Sequence, residues 1–204
     1  MLFIKAFANV AVTCPPLRQN WFGWPWDHLY EHPHSVAMIA THRDFRDEPW
    51  LFWSRFINPE GESLPSLQRR LDRYLTEPPE TIFKQQWLFS GLPKVVRRVL
   101  WWWNLNVSGP KRAKRAGTFF LTTLAGQGAE IAHPPAFLTS NITYGPLDER
   151  GCCRVTIAYD HRLMDGSLVA KCLADLEQTL KGPISRELEQ LCRSGGDTKI
   201  QSAA

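Results

Sequence analysis

The 204-residue chain holds no run of about eighteen apolar residues, so its sequence predicts no helix that crosses a membrane. Charge of one sign is scarce. A formal net charge of +4 is too small to point to nucleic acid, and no nucleic-acid partner is expected. Internal repeats and low-complexity linkers are absent, which excludes solenoids and tethered arrays. Cysteine is sparse and odd in number. Cys14, Cys152, Cys153, Cys172 and Cys192 fit neither a disulfide framework nor a zinc site, and they read as reduced thiols of a cytoplasmic protein. His28, His32, His34, His42 and His133 are scattered without partners at ligand spacing, so no metal is assigned.

What is plentiful is apolar and aromatic. The chain is 44% hydrophobic, with nine Trp and eleven Phe, which calls for large buried surfaces in a core or at a subunit contact. The length suits a single domain over residues 1–193, with a small, polar, disordered tail over 194–204.

The first residues, Met1 to Cys14, have an export-signal flavour. Their early cation, Lys5, lies inside the apolar run, and no clean small-x-small site follows. A buried helix over 2–13 is the better reading, with Leu2, Phe3, Ala6, Phe7 and Val10 on one face and Pro15-Pro16 as its stop. Trp21–Trp26 reads as an aromatic loop. Strands are predicted over 35–41 and 49–57, with a turn at 58–61. Ser63 reads as the cap of a helix carrying Leu64, Leu67, Leu71 and Leu75, and a Pro-interrupted helical region spans 80–104. Further strands are predicted over 117–124, 136–143 and 152–159. A last helix covers 166–181, ended by Gly182-Pro183. The pattern is mixed α/β without strict alternation.

The stretch Val155-Thr-Ile-Ala-Tyr-Asp-His-Arg-Leu-Met-Asp-Gly166 carries the chemistry. A His at the end of a buried strand is held rigidly yet reaches a cleft, and such an imidazole can act as a general base near neutral pH. Asp165 falls where a helix begins and can cap its first amides; Gly166 permits close packing. Alone, His-x-x-x-Asp-Gly is a weak pattern.

Three further segments strengthen it: Gly117-Thr-Phe-Phe-Leu-Thr-Thr-Leu124, Ile4-Lys-Ala-Phe7 and Pro134-Pro135-Ala136. In order and spacing these resemble the acyltransferase catalytic domain of 2-oxoacid dehydrogenase complexes, while residues 50–115 diverge. The resemblance implies a chloramphenicol acetyltransferase-like two-layer α/β sandwich, with a mixed sheet and helices packed on one side. The Ile4 match falls well inside the family's domain, so the expected domain is shortened at its N-terminus. An Arg that related folds place against the motif Asp is then missing, and Arg18 is no obvious replacement.

The resemblance further implies His161 as general base and Thr122 as oxyanion donor, with Thr123 as a second candidate. Asp165 and Gly166 would form the active-site turn, and Thr123, Gly166 and Asn141 would touch substrate. The site would lie between subunits of a homotrimer. No bound cofactor is implied; acyl-CoA or an acyl carrier protein would donate the acyl group, and a second subunit could supply the missing part of the domain. The competing reading is a non-catalytic scaffold that keeps the fold. A condensation-domain relative is weaker, because Asp160-His161 stands where those domains carry His-His.

Two basic segments stand apart from this motif. Leu92, Val95, Val96, Val99, Trp102 and Trp103 share one helical face, with Lys94, Arg97 and Arg98 opposite. Such a stripe can bury itself against the core or another subunit, the preferred reading, or lie in a membrane surface. Lys111–Arg115 adds four cations, read as a solvated loop that could also meet phosphates of a donor.

Overall fold

A computed structural model describes residues 1–135 and 137–201, with side chains described through Ser194 apart from Ala136. The chain opens with α1 (Leu2–Thr13), then a hairpin of β1 (Gln19–Phe22) and β2 (His28–Glu31). A long hairpin follows, β3 (Val36–Phe45) and β4 (Glu48–Ile57). Five helices come next: α2 (Leu64–Thr76), α3 (Pro79–Ile82), α4 (Lys84–Ser90), α5 (Lys94–Asn106) and α6 (Gly109–Ala116). Strands β5 (Phe119–Thr122), β6 (Ser140–Tyr144) and β7 (Val155–Tyr159) precede α7 (Gly166–Thr179) and α8 (Ser185–Gln201).

The main sheet has the order β4-β3-β5-β6-β7. Strand β5 runs parallel to both β3 and β6, and the outer pairs are antiparallel. One face buries the large core. Phe119, Leu121, Ile142 and Ile157 point into it and meet Ile4, Phe7, Ala8 and Ala11 of α1 and Val169, Cys172 and Leu176 of α7. Helix α1 is therefore a core element. Its buried face is centred on Ile4, Phe7 and Ala11, and Leu2, expected inside, is exposed. Alternation sends Met38 and Phe120 to the opposite face, where a smaller cluster with Ala116, Leu138 and Trp53 covers them.

Gly117 shows why the start of β5 tolerates no side chain. Its φ is +91°, and a Cβ there would fall 2.9 Å from the Val36 carbonyl oxygen and 2.5 Å from Met38 Cγ. The Ser63 cap is present, its hydroxyl accepting from the Ser66 amide at 3.4 Å. Leu64 and Leu67 are buried as the spacing predicts, but Leu75 is exposed.

Three expectations fail for local reasons. Trp21 and Phe22 close strand β1 and residues 23–26 lie at the tip of a paired hairpin, because Gln19–Phe22 finds a register with His28–Glu31. Lys111–Arg115 lies in helix α6 with Ala113 and Ala116 buried, a face too narrow to show as periodicity. Gly182-Pro183 does not end the chain's helical structure; a π-helical turn over Leu180–Ile184 leads directly into α8. Helix α8 thus enters the stretch expected to be a tail, and residues 202–204 lie outside those described.

Candidate active site

Strand β7 delivers Tyr159 to the end of the sheet, and the chain turns through Asp160–Met164 into α7. The turn is pinned on both sides of His161. Upstream, the Asp160 amide donates to the Thr139 carbonyl at 3.0 Å, and its own carbonyl accepts from Leu163 and Met164 at 3.0 and 3.2 Å. Downstream, Asp165 caps α7, accepting from the Leu168 amide at 2.8 Å and the Ser167 hydroxyl at 3.0 Å. Those donors, the Leu168 amide first, hold the Asp165 carboxyl below its ordinary pKa. No cation pairs with Asp165 among the described residues. Arg18 instead bonds the Pro33 carbonyl and Glu31. The Asp is thus a helix cap, and the arginine missing from the resemblance is not needed to hold it.

A second clamp was not legible in the sequence. Arg162 grips Asp160 through two nitrogens, Nε at 2.9 Å from Oδ1 and Nη2 at 2.6 Å from Oδ2. Its guanidinium lies 4.1 Å from the Trp21 ring centroid. The Arg162 hydrogen bond lowers the Asp160 pKa, so this carboxylate stays charged. The flanking Asp160 and Arg162 were visible as a charged pair around His161; their aromatic platform comes from a distant hairpin and could not be read locally.

Between the clamps, His161 is exposed. Its ring touches Tyr159, with centroids 4.5 Å apart, and makes no hydrogen bond among the described residues. It borders an open hollow of about 510 Å³ shared with Arg162, Met164, Asp165, Ser167 and Lys171. Gly166 is not demanded by crowding: a Cβ there would stand 3.5 Å from the Tyr159 hydroxyl, an ordinary contact.

The hydroxyl candidates sit elsewhere. Thr122 ends β5 in register with Thr143, which faces Thr156, whereas Tyr159 is level with Ser140 and Phe119. Thr122 and Tyr159 therefore lie at opposite ends of the sheet, two strands apart. At 3.3 Å per residue and 4.8 Å per strand their Cα atoms are roughly 14 Å apart, so one protomer does not bring Thr122 to His161. The Thr122 hydroxyl makes no hydrogen bond among the described residues. Thr123 donates to the Tyr144 carbonyl at 2.7 Å and accepts from the Ala125 amide at 3.0 Å, which holds the turn after β5. Asn141 donates to the Pro135 carbonyl at 3.0 Å, while its buried Oδ1 has no partner. No group of three His, Cys, Asp or Glu side chains at metal-binding distance occurs among the described residues.

Comparison with solved structures places this architecture. A probable dihydrolipoamide acetyltransferase from Listeria monocytogenes 4b F2365 superposes with a TM-score of 0.57 at 16% identity, over 88% of this chain and 68% of that one. A truncated catalytic core of the 2-oxoacid dehydrogenase multienzyme complex from Thermoplasma acidophilum gives 0.59 at 15% identity, over 89% and 73%. A chloramphenicol acetyltransferase gives 0.53 at 11% identity, over 88% and 76%. The fold is chloramphenicol acetyltransferase-like. At these identities the likeness is one of acyltransferase-type architecture. No protein-family model matches the chain, and no curated protein matches it.

Proposed function

We propose that this chain is an acyltransferase, moving an acyl group from a thioester to a thiol, hydroxyl or amine acceptor at a site shared between copies of the chain. The observation that carries this reading is the free imidazole of His161, held between two clamped carboxylates at the edge of an open hollow. The turn positions this imidazole against Tyr159 and leaves its nitrogens available. The fold shared with acyltransferases supports the class of reaction.

In this reading His161 accepts the proton of the acceptor. The acceptor attacks the thioester carbonyl, and the resulting oxyanion takes a hydrogen bond from Thr122 of a neighbouring copy. Collapse of the tetrahedral intermediate breaks the carbon–sulfur bond, and the departing thiolate recovers the proton from His161. Asp165 and Asp160 position the base through the turn. A homotrimer would supply the shared site: with Thr122 at the other end of the sheet from His161, the oxyanion donor in this reading comes from a second copy. Arg162 and Lys171 bring cations to the same hollow, which suits the phosphates of acyl-CoA or of a phosphopantetheine carrier protein.

The test is incubation with a panel of acyl-CoAs and a cell extract as acceptor source, read by mass spectrometry. The account expects acylated product and release of CoA thiol, both lost in His161→Ala. If no acyl-CoA or acyl carrier protein is consumed by the wild type, the scaffold reading stands instead.

A further inference from the structure

Helix α5 turns Leu105 and two polar groups toward the protein. Leu105 packs on the smaller cluster, Asn104 is buried and accepts from Arg115 at 2.8 Å, and Arg97 bonds the Ser90 carbonyl at 2.9 Å. Its outward side carries the apolar stripe. Val95 is 75% exposed, Val99 57% and Trp102 47%, and Val96, Leu100, Trp101 and Trp103 are exposed beside them. The stripe is therefore not buried against the core of its own protomer.

The neighbourhood extends the same surface. Trp102 meets Trp24 of the β1–β2 hairpin at 6.0 Å between centroids, and Trp26 on that hairpin is 70% exposed. Val95, Val99, Trp102 and Leu105 line an apolar hollow of about 650 Å³.

Charge decides between occupants. Residues 81–129 contain eight Lys and Arg and not one Asp or Glu, in a chain whose net charge is only +4. Lys94 and Arg98 flank the stripe on α5, and the exposed Lys111 and Lys114 continue the cationic surface on α6. Exposed Trp and Val rimmed by cations, on a segment that itself carries no carboxylate, is the pattern of a helix that lies in the headgroup layer of an anionic bilayer; Asp27, exposed beside Trp26, is the acid of the hairpin tip. A two-fold contact through this face would bring the same cations together, and a contact between copies through different faces is an outcome of the test below.

We infer that the outward face of α5, with the Trp24–Trp26 hairpin tip, docks on the surface of an anionic membrane. The contact lies in the bilayer plane and is independent of the catalytic reading. The hairpin that carries Trp24 also carries Trp21, the platform under Arg162, so docking would set the His161 turn close to the lipid surface.

The test is sedimentation of the full chain with phosphatidylcholine vesicles containing or lacking phosphatidylglycerol. The account predicts binding to the anionic vesicles and at least tenfold weaker binding to neutral ones. High salt weakens the binding. The double variant Val99→Asp, Trp102→Asp should lose at least tenfold in vesicle binding, as should Lys94→Glu with Arg98→Glu, with oligomeric state and circular dichroism unchanged. Failure of the wild type to bind anionic vesicles at low salt overturns the inference. So does a double variant that binds as the wild type does. Dissociation of an oligomer by the Asp variants would assign the face to contact between copies and likewise overturn it.

Discussion

His161, Asp165 and Asp160 are close in sequence, but their environments give them different work. The imidazole is exposed and unbonded, whereas each carboxylate is held by donors, Asp160 on both oxygens and Asp165 on Oδ1. Replacing His161 by Ala should lower the acyl-transfer rate by about 10²–10⁴-fold. It should leave the melting temperature within a degree or so, since an exposed side chain is removed. Asp165→Ala should do the converse in stability, lowering the melting temperature by loss of the α7 cap, while Asp165→Asn keeps most of it. The pH dependence follows from the sign of the carboxylate shifts. The Asp160 carboxyl titrates below its ordinary value because of Arg162, so its contribution is complete at neutral pH and is lost as pH falls below about 4. Thermal unfolding of wild type and Asp160→Asn should therefore differ at pH 7, and the difference should shrink as the pH falls below about 4. Cys172, buried and hydrogen-bonded to Cys14 with its pKa pushed up to about 12, should resist alkylation in the folded protein, while exposed Cys152 reacts.

At the scale of elements, strong patterns were readable and weak ones were not. Strand β7, the Asp165 cap and helix α7 follow from a short segment rich in β-branched residues, an N-cap residue and helical spacing. Helix α1 was readable as well. Phe7, fully buried against Phe119, should cost about 3–5 kcal/mol of stability on change to Ala, measured by denaturant unfolding. The β3–β4 hairpin was seen only in part. Its turn residues Arg46 and Asp47 take positive φ without the Asn-Gly that signals such turns. The orientation of α5 was out of reach, because a helical wheel defines an apolar face but not which side the protein covers. The Arg162–Trp21 contact was equally hidden, since it joins two segments that only the tertiary fold brings together.

At the scale of the molecule, the resemblance read from His161, Thr122 and Gly117 agrees with the architecture seen, a mixed five-stranded sheet of chloramphenicol acetyltransferase type. In the proposed site one copy supplies the base and another the oxyanion donor, because Thr122 and the His161 turn lie at opposite ends of the strands of that sheet. The central claim is that His161 of one copy works with Thr122 of the next. The most direct measurement mixes two inactive variants, His161→Ala and Thr122→Ala, after dissociation and reassembly together. About a quarter of the interfaces in a random mixture would then pair an intact His161 with an intact Thr122. The account predicts that acyl transfer reappears on mixing, to a comparable fraction of the wild-type rate. Activity that stays absent in the mixture, while each variant still assembles with the other, would contradict it.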